Sequence, residues 1–201
     1  MSGAGAVGVD GRSRLAGGFS RTARPVSALV LAAEAYLFWR YAAYGTLFHY
    51  WLHLLFGGTI AFAALAIMRL ARPNREPNVW GWGFAGHLWS AIPDIAFVLV
   101  GILHYYWMDV FALHVTIHFI PAPLLTTFVT FSLALLAWAI ATIGWCRLAL
   151  TALVLTAAVS VAALALRTPP PATLEQLRAN PQLALLCPVA EPPRLLPVFV
   201  D

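Results

Sequence analysis

Apolar stretches of about 20 residues, each long enough to cross a bilayer as a helix, recur along this 201-residue chain and leave it few folds to choose from. No period-2 alternation of the kind a membrane barrel needs is present, so helices are expected to do the spanning. Composition agrees. Hydrophobic residues make up 61% of the chain and charged residues 10%, against about a quarter charged in an ordinary soluble domain. The fold class expected is all-α: a polytopic membrane protein of about five transmembrane helices with a kinked or re-entrant segment that carries histidines.

Residues 1–24 are rich in Gly, Ala, Ser and Arg without an apolar stripe and read as a flexible basic arm. The apolar segment that follows contains Glu34 and Arg40 and runs on to His49 without a small-residue cleavage site, which argues against a cleavable signal peptide. The transmembrane domain covers 25–167, with helices expected at 26–44, 46–70, 81–104, 123–144 and 146–167. Pro73 and Pro77 break the chain between the second and third helices, and Gly144 between the fourth and fifth. Between Tyr105 and Pro123, Pro121 and Pro123 interrupt any helix, so a half-helix or re-entrant element is expected. Residues 168–201 form a proline-punctuated tail in which only 172–179 has the composition for a short helix. Cys146 and Cys187 form neither a convincing disulfide nor a metal motif.

The net charge of +4 comes from arginine alone, and four of the twelve arginines precede the first apolar run. That distribution is a topology signal before it is a nucleic-acid signal, and no nucleic-acid partner is expected. By the positive-inside rule the N-terminus and the 69–75 loop would be cytoplasmic. Five spans then put the C-terminus outside a plasma or inner membrane.

All six histidines lie between His49 and His118, inside or beside apolar helices, where an ionisable group needs a partner, a wet cavity or a metal. His49 and His53 are four apart, as are His114 and His118, a spacing that sets two imidazoles on one helical face. Either pair alone could be an interfacial feature beside aromatic residues. Two pairs, with His104, Asp94 and Asp109, supply the several donors from separate elements that a metal requires. On these grounds the metal candidates are His49, His53, His104, His114, His118 and Asp94, and the catalytic candidates Asp94 and Asp109. By helical rise Asp94 should lie roughly 15 Å deeper than His104. His87, Ser90 and Asp94 share a face of the third helix, which Pro93 bends beside the acid. His87 is expected to be a hydrogen-bonded packing residue, and Glu34 to make an interhelical hydrogen bond. Gly57, Gly58 and Gly101 should allow close backbone approach.

The run Ile92-Pro93-Asp94-Ile95 between flanking histidines resembles small inner-membrane metal-dependent hydrolases that carry a Pro-Asp motif with intramembrane histidines. The likeness covers residues 46–120 and implies ligand roles for Asp94 and His53. Ser90, Asp94, His114 and His118 also resemble in type the site of membrane zinc hydrolases of the ceramidase and progestin-receptor-like group. The expectation is therefore a membrane-embedded metal-dependent hydrolase, with zinc as the metal and a lipid-like or other amphipathic small molecule as substrate. Two alternatives use the same residues: a redox protein holding iron, as a di-iron centre or haem, and a non-enzymatic proton or metal transporter or assembly factor. Oligomeric state is not legible.

Overall fold

A computed structural model describes residues 23–75, 77–100 and 106–169. Five α-helices follow one another: α1 Ala23–Ala43, α2 Leu47–Ala71, α3 Val79–Val100, α4 Pro123–Thr142 and α5 Cys146–Ala165. Two short 3-10 turns, Tyr106–Val110 and Thr116–His118, separate α3 from α4. No strand occurs among the described residues. The all-helical expectation holds. Three of the helices, α2, α4 and α5, are long and apolar enough to cross a membrane.

The helix ends follow from local chemistry. Gly45 (φ +70°) ends α1 and Gly144 (φ +87°) ends α4, each in the left-handed conformation that glycine adopts without steric cost. In both turns the next N–H reaches back five residues, Thr46 to the Tyr41 carbonyl (2.8 Å) and Trp145 to that of Ile140 (3.3 Å). The second turn folds α4 onto α5 as a tight hairpin, while the first leads α1 across α2 and α3. The Asn78 side chain caps α3 by accepting from Gly81 N–H at 3.1 Å. Pro123 opens α4, where its missing N–H costs nothing.

Packing centres on α2, which lies against α3 on one side and α4 on the other, with α5 outside α4 and α1 laid across α2 and α3. Small residues fill the contacts. Ala66, Ala137 and Ala152 form one buried cluster among α2, α4 and α5. Leu125, Phe128, Val154 and Val161 point outward. Small side chains inside and large apolar ones outside is the arrangement expected where lipid is the solvent, because packing rather than water exclusion joins the helices. Thr59, Thr127 and Thr156 turn their hydroxyls onto carbonyls of their own helix, so none of these three groups is stranded.

The crossing of α2 and α3 is the tightest. A Cβ on Gly57 would overlap the Gly86 carbonyl, and one on Gly86 would overlap that of Gly57. The packing role expected of Gly57 and Gly58 is what the structure has, Gly58 taking the Phe131 ring. Gly101 lies outside the described residues, as do the basic arm through residue 22, Cys187 and the tail segment 172–179.

Candidate metal centre

The Gly57–Gly86 contact determines what meets one turn away. In this antiparallel pair His53 precedes Gly57 by four residues and Ser90 follows Gly86 by four, so the two face each other. His53 Nδ1 and Ser90 Oγ lie 2.9 Å apart, both fully buried. One further turn along α3 is Asp94, 1% exposed, whose Oδ2 lies 3.3 Å from His53 Nε2. Pro93 removes the N–H that the Trp89 carbonyl would otherwise accept, loosening the helix at this turn. The adjacent Ser90 carbonyl accepts a bond from His114 Nδ1 at 2.8 Å.

His114 and His118 come from the segment between α3 and α4, whose described part, from Tyr106, is two short 3-10 turns joined by irregular chain rather than a half-helix. Ala112 (φ +54°) and Leu113 (φ +52°) are left-handed, at a cost of roughly 1–2 kcal/mol each for residues with a Cβ. Asp109 holds them there. Its Oδ1 accepts from the N–H groups of Val115 (2.8 Å) and Thr116 (2.9 Å), and its Oδ2 from the Thr116 hydroxyl (2.6 Å). Met108, Val115 and Phe119 seal the same loop from beneath. The four-residue spacing of His114 and His118 is therefore not one helical turn, yet their rings converge, with centroids 6.0 Å apart.

Together, one ligand atom each from His53, His114 and His118 lie within 4.8 Å of one another, a group that could hold a metal ion. Asp94 faces two of them, Oδ2 to His53 at 3.3 Å and Oδ1 to His114 at 3.4 Å. Charge-assisted hydrogen bonds are shorter, about 2.7–2.9 Å. Two donors sharing a tetrahedral ion with bonds of about 2.0–2.1 Å sit about 3.3–3.4 Å apart, which matches. The proton arrangement points the same way. A carbonyl can only accept, so His114 Nδ1 carries a proton, and in the neutral ring Nε2 presents a lone pair towards a carboxylate oxygen. A cation or a shared proton between those atoms relieves the repulsion.

Around this core, Tyr41 donates its hydroxyl to Asp94 Oδ2 at 2.9 Å. His49, fully buried, packs against His118 with ring centroids 4.8 Å apart. His87 stands apart from the cluster. Its Nδ1 lies 2.9 Å from both Glu34 oxygens, and the Tyr50 hydroxyl donates to Glu34 at 3.1 Å, so both residues are engaged as the sequence suggests.

The structure thus gathers His53, His114, His118, Asp94 and His49. It sets Asp109 to shaping the loop, and His104 lies outside the described residues. Asp94 meets His53 and His114 well inside α3, one turn beyond Ser90, and its depth relative to His104 lies outside the described residues. Sequence reasoning missed Tyr41, one of several aromatic residues in α1 with nothing in its spacing to single it out. It also missed that Ser90 holds two histidines at once, which depends on the α2–α3 crossing.

Comparison with known proteins gives no match: no family model fits the chain, and no curated protein or solved structure is significantly similar to it.

Proposed function

We propose that this protein is a membrane-embedded, metal-dependent hydrolase, with zinc as the metal and a lipid-like or other amphipathic molecule as substrate. The observation that carries the reading is the convergence of three histidines within 4.8 Å, flanked by a buried carboxylate at coordination-edge distance from two of them. Imidazole-rich donor sets suit zinc. Di-iron centres in helical bundles are built mainly from carboxylates, four Glu to two His, whereas here the cluster has one acid and four imidazoles. Such an ion supplies Lewis acidity and acidifies water near neutral pH. The chain's own residues do the rest. Ser90 orients His53 and His114 through their second nitrogens, Tyr41 fixes the carboxylate, and Asp94 serves as ligand or as acceptor of the water proton.

The substrate class draws on the surroundings. Beyond the histidine loop lies a cavity of about 80 Å³ lined by Phe56, Leu113, Ile117 and Leu164. The hydroxyls at its wall, among them Thr127, Thr130 and Ser160, are turned onto helix carbonyls. An apolar space on the same loop suits a short apolar group of an amphipathic molecule. In this reading α1 and α3 complete five spans, with the N-terminus cytoplasmic and the C-terminus external.

Metal analysis of the detergent-purified protein is the first test, followed by hydrolysis assays on ester and amide lipids before and after chelation. Zinc should be bound, and chelation should abolish turnover until zinc is restored. A metal-free protein, or activity indifferent to chelation, would exclude the proposal.

A further inference from the structure

The two imidazoles that flank Asp94 are stacked, and stacking has a consequence for what they can bind. The His53 and His114 rings lie 4.2 Å apart between centroids and only 6° from parallel. A ring-nitrogen lone pair lies in the plane of its ring, so an ion bound well by an imidazole sits in that plane. An ion shared by two stacked rings lies out of the plane of at least one of them, which weakens its bond to that ring. Each ring nitrogen instead has its own carboxylate oxygen, Oδ2 of Asp94 at 3.3 Å from His53 Nε2 and Oδ1 at 3.4 Å from His114 Nε2. Each separation is that of two donors on a single tetrahedral ion with ordinary bond lengths of about 2.0–2.1 Å.

Resting on the metal-dependent reading above, we propose that the cluster binds two divalent cations bridged by Asp94, one in the plane of His53 and one in the plane of His114. A carboxylate that gives one oxygen to each ion holds them at the separation of about 3.5–4 Å found in two-metal sites, close to the ring stacking distance here. Ser90 supports both halves from a single residue, its Oγ on His53 Nδ1 and its carbonyl on His114 Nδ1. The His118 ring stands across both, at 64° to His53 and 70° to His114, and supplies a further nitrogen. His49 lies beyond it, 4.8 Å from the His118 ring and 6.2 Å from that of His53, and extends the donor set on the α2 side. Four imidazoles and a bridging acid exceed what one tetrahedral ion takes and leave a position on a two-ion centre for water or substrate.

The test is titration of the metal-stripped, detergent-solubilised full chain with Co(II), counted by elemental analysis and followed by electron paramagnetic resonance. Saturation at two equivalents per chain, with spectra of magnetically coupled ions, is expected. His53→Ala and His114→Ala should each retain about one equivalent, with the coupling gone. Saturation of the wild type at one equivalent overturns the two-ion centre but leaves the metal-dependent reading standing, whereas no bound metal overturns both. Two equivalents without coupling place the second ion elsewhere and also overturn it. Should either variant fail to fold by circular dichroism, wild-type stoichiometry and coupling decide alone.

Discussion

At the scale of single residues the contacts of the cluster converge on Asp94, which receives the Tyr41 hydroxyl while facing His53 and His114. Asp94→Asn keeps the volume and one acceptor but removes the charge and one oxygen. The variant should insert and fold as the wild type does, yet bind zinc more than about 100-fold more weakly, since losing even an orienting partner costs about 10- to 100-fold. Wild-type zinc affinity in Asp94→Asn would make the aspartate a packing group. Ser90 allows a finer dissection, because its side chain serves His53 and its backbone serves His114. Ser90→Ala removes only the first contact, so a loss within that 10- to 100-fold range is expected, read by competition with a zinc chelator; an unchanged affinity would mean that Ser90 Oγ does not orient His53. Of this site the sequence made legible the acid and the histidines, because ionisable groups stand out against an apolar chain. Tyr41 stayed hidden because a phenol in a helix rich in Tyr, Trp and Phe carries no mark. Asp109 was read as site chemistry because its spacing from His114 cannot reveal that its oxygens are turned to its own loop's backbone.

At the scale of elements, the approach of α2 to α3 sets the geometry of the site. A methyl at Gly57 would meet the Gly86 carbonyl, so Gly57→Ala must push the helices apart, at a cost of about 1–3 kcal/mol for overpacking, and must pull Ser90 from His53. Gly83 is the control, because a Cβ there meets nothing within 4 Å. Gly83→Ala should gain about 0.5–1 kcal/mol from helix propensity alone. Thermal unfolding in detergent, with metal content measured in parallel, separates the two. Equal behaviour of both variants would show that the crossing tolerates separation. Helix positions were readable to within a few residues because apolar runs, prolines and terminal glycines mark them. Where a half-helix or re-entrant element was expected, the described residues form two short 3-10 turns, since a side-chain cap from Asp109 and two left-handed residues, Ala112 and Leu113, redirect the backbone in a way no hydrophobic period encodes.

For the whole molecule, arginine placement predicts the orientation across the membrane. Reporter fusions after residue 75 and at residue 201 should report opposite sides, cytoplasmic for the first and external for the second. The same side for both would remove the five-span arrangement. One contact between distant parts of the chain bears on how such a protein is made. Just past α5, Thr168 donates its N–H to the Phe119 carbonyl at 2.9 Å, next to His118. The loop that carries His114 and His118 is thus anchored by a residue synthesised about fifty positions after it. A nascent chain has all its histidines long before it has that anchor, so the ribosome must deliver the last helix before the loop is fully tied down. Competence to take up metal should accordingly arrive late in biogenesis, as a step in zinc retention between arrested chains ending short of Thr168 and those with α5 and Thr168 clear of the ribosome. Retention rising evenly with length would mean that the ligands assemble without waiting for the end of the chain.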